Sequence, residues 1–167
     1  SNIWGLSYDQ RQKFVQAAGV DMFDPARHDV LVWLGCAGAF EADFQKSLRS
    51  LFEILRAKHV RFGVLGKERC TGDLAKRTGN EYMYQELAAQ NIEDLRASGV
   101  KKIVTSCPHC VKTIAHDWRR WLKNYSHEQS RMILDRDQKL RVISPQERHE
   151  VDWARSLLFF TSLYSAV

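Results

Sequence analysis

The residues of this chain best suited to chemistry are its four cysteines, Cys36, Cys70, Cys107 and Cys110. Thiolates are the ligands that iron–sulfur clusters take, and four of them close a tetrahedral structural zinc site. A Cys-x-x-Cys pair such as Cys107-Pro108-His109-Cys110 can also run thiol–disulfide exchange by itself. The plainest alternative is four inert thiols packed as small apolar residues. A lone dithiol leaves Cys36 and Cys70 without a role, so a site shared by all four is the stronger expectation. By ligand type alone, a cubane [4Fe–4S] cluster and Zn2+ fit these four thiols equally well.

A shared site requires elements that gather thiols spread over 75 positions. Val30 to Leu34 is a continuous apolar run between Asp29 and Gly35, as expected of a strand buried on both faces. Val60 to Leu65 and Lys102 to Thr105 are the second and third expected strands. Each is followed within a few residues by a cysteine: Cys36, Cys70 and Cys107 in turn. Helices are expected between them. One carries Phe40, Phe44, Leu48, Leu51, Phe52 and Leu55 at steps of three and four. Another opens at the capping pattern Thr78-Gly79-Asn80-Glu81, carries Met83, Leu87, Ala88, Ile92 and Leu95, and stops at Gly99. A third begins near Cys107, where Pro108 suits a first helical turn, and carries Val111, Ile114, Ala115, Trp118 and Leu122. A first helix over Trp4 to Val20 precedes them all.

Strand alternating with helix predicts an α/β fold. The expected form is a three-layer sandwich with a mostly parallel sheet of about four strands, the last at Leu140 to Ile143. Right-handed crossovers put every strand's carboxyl end on one edge, where ligands of such folds sit. The cysteines are therefore expected together at that edge, with the positive end of the Pro108 helix favouring thiolate. Gly35, Gly38, Gly66 and Gly72 flank them and permit tight turns.

Composition limits the remaining possibilities. The chain has 167 residues, enough for one domain with a real core, and is 44% hydrophobic and 27% charged. Its net charge of +5 comes from Lys and Arg mixed with 20 acidic residues, so a nucleic-acid surface is not expected. No apolar run approaches the ~18–20 residues of a membrane span. No secretory pattern opens the chain, which makes a reducing cytoplasm the expected location and structural disulfides unexpected. No internal repeat or low-complexity tract divides it.

The segments around the thiols carry a resemblance. Leu34-Gly35-Cys36-Ala37-Gly38, Cys70-Thr71-Gly72-Asp73, Gly79-Asn80-Glu81-Tyr82, Gln90-Asn91-Ile92-Glu93 and the run from Val100 to Cys110 all resemble the cysteine-rich CCG domain. That domain is the repeat of the heterodisulfide reductase B subunit, of D-type subunits and of related iron–sulfur oxidoreductases. The likeness spans roughly residues 3 to 118, and Trp4-Gly5-Leu6 is similar to the segment preceding the first repeat of longer members. It implies an iron–sulfur cluster on Cys36, Cys70, Cys107 and Cys110, with electron transfer to and from flavin or iron–sulfur partners. A membrane would be reached only through a partner. The chain would be a subunit or domain of an oxidoreductase rather than a complete enzyme.

Three departures from the family pattern shape this expectation. Thr71 stands where the motif has its second cysteine, which leaves four thiolates, the set of a cubane, and not the five of a non-cubane cluster. With Val142-Ile143 as the fourth strand, Ser144-Pro145 stands where paired histidines are common; Ser126-His127 is the alternative alignment, with one histidine. Only one repeat is present, with residues 1–25 as an N-terminal helical extension and 122–167 as a divergent C-terminal part of a single domain. Thr71 and His109 are candidates for hydrogen bonds to the cluster, although a turn residue and a partly exposed imidazole are the ordinary readings of each. Trp33 and Trp118 are expected in the core, and Asp73 in a local ion pair or helix cap. The rival to the electron-transfer reading is a zinc-stabilised structural or interaction domain. A third possibility is a Cys107/Cys110 dithiol reductase.

Overall fold

The computed structural model describes residues 5–120 and the backbone of Arg141–Val142. Its centre is a small parallel sheet of three strands, β1 (Val30–Val32), β2 (Phe62–Gly63) and β3 (Lys102–Val104), in the order β2-β1-β3. The register pairs Val30 with Phe62 and Leu31 with Ile103, both in parallel. Arg141–Val142 runs parallel beside β3. The rest of the fourth strand expected at 140–143 lies outside the described residues.

Period-two alternation along residues 31–34, from β1 into the turn after it, sends side chains into two separate apolar clusters. Leu31 and Trp33 pack with Tyr84, Ala88 and Leu95 of α5 (Glu81–Ala97) and with Cys110, Ile114 and Trp118. Val32 and Leu34 pack with Phe14 and Val15 of α1 (Tyr8–Ala17) and with Leu48, Leu51, Phe52 and Leu55. The continuous apolar run of the sequence thus reflects burial on both sides of the strand. Trp33 and Trp118, both buried, meet edge to face with ring centroids 6.1 Å apart, as expected of core aromatics.

The structure corrects the expected helices in three places. The stretch read as one helix from Phe40 to Leu55 is two: α2 (Gly35–Phe40) and α3 (Ala42–Ala57), broken at Glu41, whose backbone is extended. The second correction concerns the opening of α5. Asn80 caps it by accepting the Met83 amide, whereas the Thr78 hydroxyl bonds back to the Leu74 and Ala75 carbonyls of α4 (Asp73–Arg77). Third, Phe44 and Met83, counted on the apolar faces, are about half exposed. Each is the third residue of its helix, one turn short of the stripes that bury Leu48 and Leu87.

Candidate metal centre

Each cysteine is placed by the turn that ends its strand. After β1 the chain turns through Gly35, whose φ of +72° suits glycine, into the short helix α2, so Cys36 sits in a first helical turn and not in an irregular loop. After β2, Cys70 precedes Gly72 (φ +91°), the residue that opens α4. The Gly72 amide points at the Cys70 Sγ, 3.5 Å away, and Asn91 of α5 donates to the Cys70 carbonyl at 2.8 Å. After β3, Cys107 caps α6 (Pro108–Lys112) by accepting the Cys110 amide on its Sγ at 3.4 Å. Its own amide is held by the Thr105 hydroxyl at 3.2 Å.

The three strand ends meet. A Cβ on Gly35 would stand 3.4 Å from the Cys110 Sγ and 3.6 Å from the Cys107 Cβ, so the residue before Cys36 touches the Cys-x-x-Cys pair. All four cysteines are free thiols. They associate two by two, Cys36 with Cys70 and Cys107 with Cys110. Donation by Cys36 to Cys70 pushes the Cys36 thiol up and draws Cys70 down to about 7, with the Gly72 amide assisting. Donation by Cys110, joined by the Cys110 amide, draws Cys107 down to about 6. Cys110 itself is raised by that bond, by burial and by the charges of Cys107, Glu68 and Cys36.

Only the thiolate is nucleophilic. Alkylation of the metal-free protein is therefore expected to label Cys107 and Cys70 first. Their rates should rise with pH through about 6 and about 7 respectively, while Cys36 and Cys110 lag. Peptide mapping after timed iodoacetamide quenching checks this; labelling led by Cys36 or Cys110 would contradict the pairing.

The donor set fits a thiolate-ligated group. Two amides already point at sulfur, and the wall at Gly35 has no side chain to fill the space beside Cys110. Yet among the described residues no three His, Cys, Asp or Glu side chains close on one point as a single metal ion requires. The thiols converge as two pairs rather than as one tight tetrahedron.

Thr71 and His109, the other two candidates, fall differently. Thr71 is buried, and its carbonyl accepts the Trp118 indole N–H at 3.1 Å, so its backbone serves a turn tied to the core. The exposed His109 ring lies 3.2 Å from Asp73, a buried carboxylate that also pairs with Arg77 in α4 and accepts from Thr113. Asp73 thus forms the expected local ion pair.

Sequence reasoning missed Glu68 and Arg11. Glu68 is buried two residues before Cys70, and its carboxylate accepts the Leu34 amide at 2.9 Å and the Gly35 amide at 2.7 Å. Burial raises this carboxyl overall, while Arg11 and the two amides offset part of the rise. Arg11 of α1 is only 1% exposed; its guanidinium stands 3.6 Å from Glu68 and donates to the Leu65 carbonyl at 2.7 Å. Tyr8 donates to the Glu68 carbonyl at 2.7 Å. With Cys36 and Cys70 these residues line a cleft that has room for about one water. One signal was available: Arg11 shares a helical face with Phe14 and Val15, three and four residues on, the buried face of α1.

A model of the CCG family, the cysteine-rich domain, matches residues 30–115. The chain is 34% identical over 131 residues to EtfAB:quinone oxidoreductase of Syntrophomonas wolfei, covering 74% of this chain and 18% of that protein. It is 39% identical over 115 residues to a probable membrane-anchored ferredoxin of Chromohalobacter salexigens, covering 66% of this chain and 17% of the relative. It is 32% identical over 99 residues to the D-type component of the dihydromethanophenazine:CoB–CoM heterodisulfide reductase of Methanosarcina mazei, covering 56% and 24%. The chain thus spans about a fifth of the length of these relatives. No solved structure matches it. Among the described residues no helix is long and apolar enough to cross a membrane.

Proposed function

Because the chain belongs to the cysteine-rich (CCG) domain family, we propose that it is the cluster-binding, electron-transferring domain of an iron–sulfur oxidoreductase related to heterodisulfide reductase. In this reading Cys36, Cys70, Cys107 and Cys110 hold one [4Fe–4S] cluster, which would supply one-electron storage. The convergence of the four thiols from three strand ends against Gly35 carries the proposal. By ligand type the four thiols suit a multi-iron group and a single Zn2+ alike, and the ferredoxin and heterodisulfide reductase relatives favour the first. The Cys36–Cys70 pair favours a four-thiol site over a Cys107/Cys110 dithiol.

The chain's residues have definable parts. The thiolates bind, and the Gly72 and Cys110 amides donate to the Cys70 and Cys107 sulfurs and stabilise their negative charge. Asn91 and Thr105 hold the backbone on either side. The partners proposed are flavin or iron–sulfur electron-transfer proteins, with any membrane contact made through them and with a cytoplasmic location. Residues 1–167 are proposed as one domain, a three-layer sandwich of about four strands, with 122–167 its divergent C-terminal part.

Anaerobic reconstitution with iron and sulfide is expected to load about four irons per chain, and Cys36→Ala is expected to remove most of that iron. Iron loading unchanged in Cys36→Ala would contradict the ligand set. One zinc per chain with no sulfide would favour the structural reading.

A further inference from the structure

We propose that Arg11 and Glu68 are positioning residues for the cluster: together they lock the Cys36 turn to the Cys70 loop and set the charge that the cluster meets when it is reduced. The inference rests on the reading that the four cysteines hold an iron–sulfur cluster.

The geometry is specific to these two side chains. The two carboxylate oxygens of Glu68 accept one amide each, from Leu34 and Gly35, the two residues that lead into Cys36. Glu68 itself lies two residues before Cys70. One side chain therefore ties together two loops that bear ligands. Both oxygens accept, and a guanidinium stands beside them, which is the donor surrounding of an ionised carboxylate. Arg11 holds the beginning of the same loop by its bonds to the Leu65 and Gly66 carbonyls, and Tyr8 holds the Glu68 carbonyl. Both come from α1, which lies outside the segment that the family model matches. The site is thus completed by the N-terminal helix.

Placement gives the pair an electrical consequence. Glu68 and Arg11 line the same cleft as Cys36 and Cys70, and both partners of the ion pair are almost wholly buried, where charges are poorly screened. Reduction adds negative charge to a cluster. A carboxylate at this position opposes reduction, and the guanidinium offsets it. Charge and hydrogen bonds around the ligands are among the levers that set cluster potentials. A buried pair serving only the fold would change stability when altered, with no shift in potential that follows the sign of the charge removed.

Redox titration of the reconstituted full chain, followed by EPR, distinguishes the two roles. Glu68→Gln, which removes the negative charge, is expected to raise the midpoint potential. Arg11→Gln, which removes the positive one, is expected to lower it. Arg11→Lys is expected to leave the potential near wild type while lowering the melting temperature of the metal-free chain, since lysine keeps the charge and loses the two carbonyl bonds. If one glutamine variant does not fold, the other still gives the sign. A potential unmoved in Glu68→Gln or shifted opposite to the charge removed, or one shifted as far in Arg11→Lys, overturns the inference while the cluster reading stands. A wild-type chain that takes up no iron overturns the cluster reading itself.

Discussion

Arg11→Ala is expected to destabilise the folded chain by about 3–5 kcal/mol, the cost of leaving a buried charge without its partner. Arg11 and Glu68 are both almost fully buried, and no other cation is paired with Glu68 among the described residues. Removal of the guanidinium strands the carboxylate and also frees the Leu65 carbonyl, which Arg11 holds at 2.7 Å. Typical domains are stable by only ~5–15 kcal/mol, so the variant should unfold at a much lower urea concentration. Substitution of Arg27 supplies the control. Its ion pair with Asp21 is well exposed on both sides, and loss of such a pair usually costs less than about 1 kcal/mol. Equal urea midpoints for the two variants would show that the Arg11–Glu68 pair is not the structural tie described.

Trp33→Ala is expected to have a comparable effect, about 3–5 kcal/mol, from the cavity left where a large side chain is fully buried. Trp33 lies just past β1, packs edge to face on Trp118, and leads directly into the turn that carries Cys36. At roughly 2–4 °C per kcal/mol for a chain of this size, the loss corresponds to a fall of about 6–20 °C in melting temperature. Trp33→Phe should be much milder. It keeps an aromatic ring, and the indole N–H it gives up has no hydrogen-bond partner among the described residues. Calorimetry of the two variants checks the order; similar losses in both would contradict the packing account.

How much of this was legible in the sequence depended on the range of each signal. The strand at Val30 was plain because burial on both sides leaves an unbroken apolar run. The placement of Cys107 was plain because Pro108 marks a first helical turn, and the structure puts the thiol at that cap. The helices α2 and α4 were invisible because six and five residues are too few to show a 3.6-residue period. They matter because they turn the Cys36 and Cys70 loops into short helical corners. The capping pattern at Thr78 misled by two residues: both Thr78 and Asn80 can cap, and only the end of α4 decides which one does.

Arg11 and Glu68 mark the limit of such reading. Glu68 looks like a solvated charge in its own segment, only helical spacing hints at the burial of Arg11, and 57 positions separate the partners. Their burial is imposed by tertiary structure. Asn91 is a similar case: its face of α5 is buried, and its amide reaches the Cys70 carbonyl across 21 residues. Local periodicity can place Arg11 and Asn91 on buried helix faces but names no partner for either, and it registers nothing of Glu68. The family likeness covered the thiols and the segments around them, and the match over residues 30–115 agrees with it.

The central claim is that Cys36, Cys70, Cys107 and Cys110 hold one iron–sulfur cluster. Its most direct test is an anomalous-difference map collected at the iron edge from crystals grown without oxygen. The account predicts one multi-iron peak bonded to the sulfurs of all four cysteines. A peak at the zinc edge instead, or an iron peak that leaves one of the four sulfurs unbonded, would contradict it.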